Sequence, residues 1–186
     1  MMAFRGRQGK PCLTGYILMY YVNRHLPSPT DQEKGPAMIN LADVSARERI
    51  RFIDATDKDA ALHELVTLLA TSDDITDITK LEAAMFDREQ VISTGIGLGV
   101  AVPHVRLASV TGMCTAVGVS RQGIDFNAFD GLPVHIIIMI AAPEDAHREY
   151  LGLLARIALL LKSESIRNSI VEAKSPEDIF AIIKGY

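Results

Sequence analysis

The stretch Val134-His135-Ile136-Ile137-Ile138-Met139-Ile140 constrains the fold more than any other part of this chain. An extended strand turns successive side chains to opposite faces, so a strand with one wet face alternates apolar and polar residues. This stretch has no wet face along its length. It reads as a central strand covered on both sides, set off by the Asp130-Gly131 turn before it and by Pro143 after it. Such a strand requires helical layers, and the flanking sequence supplies them.

Ala61, Leu62, Leu65, Val66, Leu68 and Leu69 form an apolar stripe at helical spacing behind Thr56 or Asp57, either of which can cap the helix. Thr79 and Glu82 have the spacing of a capping box and predict a second helix running to about Arg88. Beyond Pro143, Leu151, Leu154, Ile157, Ala158 and Leu161 set out a long amphipathic helix, and two shorter helices are expected to finish the chain. The last has Ser175 as cap, Pro176 at its first position, Glu177 and Asp178 in its first turn and Gly185 past its end. Met113 to Ser120 is a further strand candidate. The expected architecture is a layered α/β domain.

Between the second helix and these strands, Ser93 to Val102 places Ile96, Leu98, Val100 and Val102 alternately with Gly95, Gly97, Gly99 and Ala101. That period of two predicts a single strand with one nearly bare face, open to close approach by another group. Pro103 lacks an N–H, so the strand is expected to end there with His104 at its tip.

With 48% hydrophobic and 23% charged residues in 186, the chain suits one globular domain plus a tail. Nineteen basic against 23 acidic side chains give a net charge of −4. No basic cluster is present to follow a phosphate backbone, so nucleic acid is not an expected partner. Cys12 and Cys114 lie far apart and neither belongs to a CxxC pair, which suggests neither a disulfide framework nor a zinc site and fits a reducing compartment.

Arg5, Arg7 and Lys10 precede the apolar run Leu13 to Val22, the outline of a short secretion signal. The run is too short to span a bilayer and no small-x-small cleavage site follows. Residues 1–37 are therefore read as an extension and linker, with Met38 as a possible working start and 38–186 as the domain.

Four of the five histidines have ordinary structural readings: His25 in the extension, His63 beside a helix stripe, His135 inside the buried strand and His147 near a helix start. His104 follows a glycine-studded strand and a proline, in a position from which side chains reach functional loops. Spacing alone leaves structural and functional roles for it equally open. The run Gly95-Ile96-Gly97-Leu98-Gly99 fits neither a dinucleotide fingerprint nor a phosphate loop, and no HExxH, GxSxG or zinc-spaced cluster occurs. No metal or cofactor is expected.

The stretch Asp87-Arg88-Glu89-Gln90-Val91-Ile92-Ser93-Thr94-Gly95-Ile96-Gly97-Leu98-Gly99-Val100-Ala101-Val102-Pro103-His104 resembles the active-site signature of phosphotransferase system (PTS) EIIA domains of the fructose, mannitol and nitrogen-regulatory type. In that signature an Arg-Glu pair precedes a Ser-Thr-Gly-rich segment ending in Pro-His. The resemblance runs from about Ile39 to Gly185 and includes Asp130-Gly131-Leu132-Pro133-Val134. It implies a central mixed β-sheet flanked by helices, and a cytoplasmic phosphocarrier that takes a phosphoryl group from HPr or an NPr-like carrier.

By position in the signature, His104 is the phosphoryl acceptor and Arg88 the group that balances its charge. Arg88 could otherwise be an exposed helix-end arginine held by the carbonyl dipole. Ser93, Thr94 and Gly95 are candidates to bind phosphoryl oxygens, with strand-edge structure an equally good account of the two hydroxyls. Members that pass the group onward usually carry a second histidine where this chain has Tyr150. His147, one turn earlier, could share a face with it. A phenol can hydrogen-bond a phosphoryl oxygen but supplies no positive charge at neutral pH. With no EIIB or membrane segment recognisable after Gly185, the expectation is a nitrogen-regulatory role acting on target proteins. The alternatives are a fructose or mannitol transport component donating to EIIB, and a protein-binding module that is not phosphorylated.

Overall fold

The apolar run lies inside a strand spanning Val134–Pro143, at the middle of a six-stranded mixed sheet. This computed structural model describes residues 39–185, so the expectations for residues 1–37 and for a start at Met38 lie outside the described residues. In chain order the elements are α1 (Leu41–Val44), β1 (Ser45–Phe52), α2 (Lys58–Leu69), α3 (Ile78–Val91), β2 (Gly95–Gly97), β3 (Val100–Ala101), β4 (His104–Leu107), β5 (Cys114–Ile124), β6 (Val134–Pro143), α4 (His147–Lys162), α5 (Glu164–Glu172) and α6 (Pro176–Lys184). Among the described residues no helix is long and apolar enough to cross a membrane.

The sheet runs β1-β5-β6-β3-β2, with β4 also on β6. The β1/β5, β3/β6 and β4/β6 pairs are parallel, whereas β5/β6 and β2/β3 are antiparallel. Along β6 the pleat sends Ile136, Ile138 and Ile140 into a core shared with α4, α5 and α6, and Ile137, Met139 and Ala141 into one shared with α2 and α3. Both sides of the strand are covered, as its composition demands. The stripe of α2 is buried at all six predicted positions.

Local signals decide most helix ends. Asp57 caps α2 by accepting the Ala60 amide at 2.9 Å. Ser175 and Asp178 form a reciprocal capping box at α6, with bonds of 3.2 Å and 3.0 Å, and Pro176 occupies the first turn. The predicted Thr79/Glu82 box does not form. Helix α3 starts earlier, capped by Asp77, whose carboxylate accepts the Lys80 amide at 3.0 Å. That bond holds the Asp77 carboxyl below its ordinary range. With Asp77 in place, Thr79 falls inside the first helical turn.

The glycine-rich segment also departs from expectation. It is a tight hairpin, β2 and β3, rather than one strand, with Leu98 at φ 60° and Gly99 at φ 74° between the paired Gly97 and Val100. Two-residue hairpin loops with positive φ match the twist of their strands, and glycine lowers the cost of that conformation. Asp130 anchors the tip by accepting the Leu98 amide at 2.9 Å. The close approach allowed by bare backbone occurs at Gly95, where a Cβ would lie 2.8 Å from the Ala128 Cα. Nor does pairing stop for good at Pro103. Its carbonyl accepts the Ile140 amide at 2.9 Å, and the ladder with β6 resumes at His104.

Candidate functional site

His104 opens β4 and pairs with Ile140 of the buried strand, so its backbone is held on the central strand of the sheet. Its side chain is 6% exposed. Nδ1 lies 2.6 Å from the Val102 carbonyl oxygen. A carbonyl only accepts, so Nδ1 carries the proton in this contact and Nε2 is left with its lone pair. The Arg88 guanidinium Nη2 lies 3.3 Å from that Nε2. Burial pulls the imidazole from its ordinary 6.5 down to about 4, the neighbouring Arg88 charge adds to this, and the bond to Val102 opposes it. At neutral pH the ring is an uncharged nucleophile of defined tautomer, with a cation beside its bare nitrogen.

Arg88 reaches this place from the last turn of α3, a helix packed on the opposite side of the sheet from α4. Its Nη1 also donates to the Ile92 carbonyl at 2.9 Å. One guanidinium therefore ties the helix end to the imidazole, a use of paired planar donors that lysine could not reproduce.

The other predicted residues fall into two groups. Tyr150 is buried at 5% exposure with its ring centroid 5.9 Å from that of His104, so the position expected to carry a second histidine does face His104. His147 opens the same helix but is exposed, unlike Tyr150. Ser93, Thr94 and Gly95 lie at the mouth of the hairpin with their donors committed within the protein. Ser93 Oγ donates to the Phe126 carbonyl at 3.0 Å and accepts the Gly95 amide at 3.2 Å. The Thr94 amide and hydroxyl both donate to the Glu89 carboxylate.

Two residues to which the sequence assigned no role also belong here. Arg106 stands two positions beyond His104 on β4, hence on the same face, and its guanidinium carbon lies 5.5 Å over the Tyr150 ring. Glu89 is the buried acid, and a signal for it exists: Leu81, Met85 and Glu89 succeed each other at four-residue intervals on the inner face of α3, where a third apolar residue belongs. Away from the site, His63 pairs with Glu82 at 2.6 Å on the surface, and His135 bonds the Ser120 carbonyl at 2.9 Å. Cys114 is a free buried thiol that burial pushes up to about 11, too weak an acid to act as a nucleophile.

The family described as "Phosphoenolpyruvate-dependent sugar phosphotransferase system, EIIA 2" matches residues 44–186, the hairpin, His104 and the covering helices included. The chain belongs to the EIIA type 2 family. Among curated relatives of this EIIA domain, the fructose-specific EIIABC component of Bacillus subtilis is 39% identical over 70% of the chain, which spans 21% of that longer protein. A nitrogen regulatory protein of Pseudomonas aeruginosa is 32% identical over 68% of the chain and 82% of its own length. Among solved structures, the nitrogen regulatory protein IIA-Ntr of Neisseria meningitidis matches with a TM-score of 0.72 and 31% identity, covering 77% of this chain and 98% of that one. The EIIA fold here is thus the layered one that the central strand required.

Proposed function

We propose that this EIIA domain accepts a phosphoryl group on Nε2 of His104 from HPr or an NPr-like carrier in the cytoplasm, with Arg88 balancing the charge. The observation that carries the reading is the pair of contacts on one ring: the Val102 carbonyl at Nδ1 and the Arg88 guanidinium at Nε2. In the transfer, the Nε2 lone pair forms a bond to phosphorus as the carrier's bond to phosphorus breaks. The electron pair of that broken bond returns to the carrier, and His104 keeps its Nδ1 proton. Arg88 exchanges its contact with Nε2 for one with the phosphoryl oxygens, which bear the charge throughout an in-line transfer. Ser93, Thr94 and Gly95 frame the site, and their outward bonding to an anion would require breaking the internal bonds described above.

Carrier docking has a suitable surface. Val91, Ile92, Leu98, Phe129 and Leu132 are all exposed apolar residues, and they adjoin the site through the Arg88–Ile92 bond and the Phe129–Gly95 backbone bond. Exposed apolar patches mark contact surfaces. Leu98 is held there in a left-handed conformation unfavourable to a leucine, a local strain consistent with a role for its side chain.

The output is regulatory in this reading. Tyr150, whose phenol cannot carry a positive charge, stands against His104 where a cation would help release the group to an EIIB. Acceptance persists while donation weakens, and the bound phosphoryl changes the contact surface by about −1.5 to −2 charges to select target proteins. The 39% identity to a fructose-specific component favours the second reading, in which the domain hands the group to an EIIB for sugar transport.

Incubation with phosphoenolpyruvate, Enzyme I and the carrier tests both. Wild-type protein should take an acid-labile label that His104→Ala does not. No label on folded wild type with a working carrier leaves only a binding module. Rapid passage of the label to a sugar-specific EIIB replaces the regulatory reading with the transport one.

A further inference from the structure

We infer that Glu89 is a positioning residue that sets the tautomer of His104 through the backbone of Thr94 and Val102. The path is continuous. The Glu89 carboxylate accepts the Thr94 amide at 3.1 Å and 3.0 Å and the Thr94 hydroxyl at 2.6 Å. The Thr94 carbonyl accepts the Val102 amide at 3.1 Å, and the Val102 carbonyl accepts Nδ1–H of His104 at 2.6 Å.

Glu89 occupies the third place in the inner stripe of α3 after Leu81 and Met85 and is itself buried. Burying a carboxylate is unfavourable unless it is paired and hydrogen-bonded, and an apolar residue would fill that place more cheaply. Lys58 provides the charge, 3.5 Å away and itself partly covered. Thr94 provides the hydrogen bonds. The effect of this arrangement is to pin the chain between α3 and the hairpin at two successive residues of the helix, with Arg88 on the Ile92 carbonyl and Glu89 on the Thr94 amide. The Val102–Pro103 peptide, whose carbonyl meets His104, then lies between two anchored neighbours, the Val102 amide on Thr94 and the Pro103 carbonyl on the Ile140 amide, and is held in one orientation. Its carbonyl demands a proton on Nδ1, leaving Nε2 bare where Arg88 waits. A loose Val102–Pro103 peptide would let the ring carry its proton on Nε2, which then has no lone pair to attack phosphorus.

The inference rests on the proposed acceptor role of His104, but its primary readout does not. The full chain, labelled with nitrogen-15 histidine and left unphosphorylated at pH 7, reports the protonated ring nitrogen directly, with His104→Gln identifying the signal. Wild type should show a single Nδ1–H form. Glu89→Ala should show a mixture and accept phosphoryl groups about tenfold more slowly, the rate equivalent of one lost charge-assisted hydrogen bond. Glu89→Gln, which keeps an acceptor oxygen for the Thr94 amide, should restore the single form and most of the rate. Should Glu89→Ala not fold, Thr94→Val removes only the hydroxyl contact and should shift the populations in the same direction to a smaller extent.

A folded Glu89→Ala protein with the wild-type tautomer overturns the inference, whatever its stability, as does an unchanged spectrum in Thr94→Val when the alanine variant is lost. A tautomer shift in Glu89→Ala when the wild type itself takes no label would instead overturn the acceptor role and leave the relay standing.

Discussion

The buried, neutral state of His104 makes stability depend on pH in a calculable way. In the unfolded chain the imidazole binds its proton near 6.5, and in the folded protein only near 4. Between those values the unfolded state holds more protons, so stability falls as pH drops from 6.5 towards 4 and is insensitive to this group above about 7. The full span corresponds to about 3 kcal/mol, of which about 2 kcal/mol is already lost at pH 5 relative to pH 7. The other ionisable groups around the ring are Arg88 from α3, Tyr150 from α4 and Arg106 beyond it. Urea unfolding at pH 7 and pH 5 measures the loss, and the same pair of curves for His104→Gln subtracts every other titrating group. The wild type should lose about 2 kcal/mol more than the variant. Equal losses, or a His104 proton resonance titrating near 6.5 in the folded protein, would refute the reasoning and with it the claim that the ring is held neutral by burial.

Arg88→Ala should fold normally by circular dichroism yet accept phosphoryl groups about 100-fold more slowly, the range for loss of one preorganised donor to a developing anion. The same variant should raise the His104 midpoint without restoring it to 6.5, because burial is the larger cause of its displacement. Leu98→Gly relieves the positive φ and should raise stability by about 1 kcal/mol in urea unfolding, while weakening carrier binding measured by calorimetry. Gly95→Ala forces a Cβ to within 2.8 Å of backbone at Ala128, and a destabilisation of about 1–3 kcal/mol is expected from the urea midpoint.

Much of this protein is written in local pattern. A seven-residue segment with six apolar side chains on both faces calls for cover on both sides, so the layered sheet could be expected from Val134 to Ile140. The stripe of α2 and the Ser175 box of α6 were legible for the same reason: each depends on residues within one or two helical turns. Elements settled by distant partners were not. Strand β1 carries only a short alternation, Arg49-Ile50-Arg51-Phe52 interrupted upstream by Glu48, and its place in the sheet is set by β5, which pairs Ile50 with Val117 and Phe52 with Val119. The glycine-rich segment has a strand's period yet turns back on itself, because Asp130 lies 32 residues away in sequence and holds the tip.

The site divides along the same line. His104, Arg88 and Tyr150 could be singled out from the chain through the resemblance that the signature carries. That Arg88 meets Nε2 rather than solvent, that Val102 chooses the tautomer and that a buried Glu89 reaches the hairpin are decisions of tertiary structure. Hydrogen bonds depend on distance and angle between groups brought together from separate elements, and no periodicity along one strand or helix encodes that meeting.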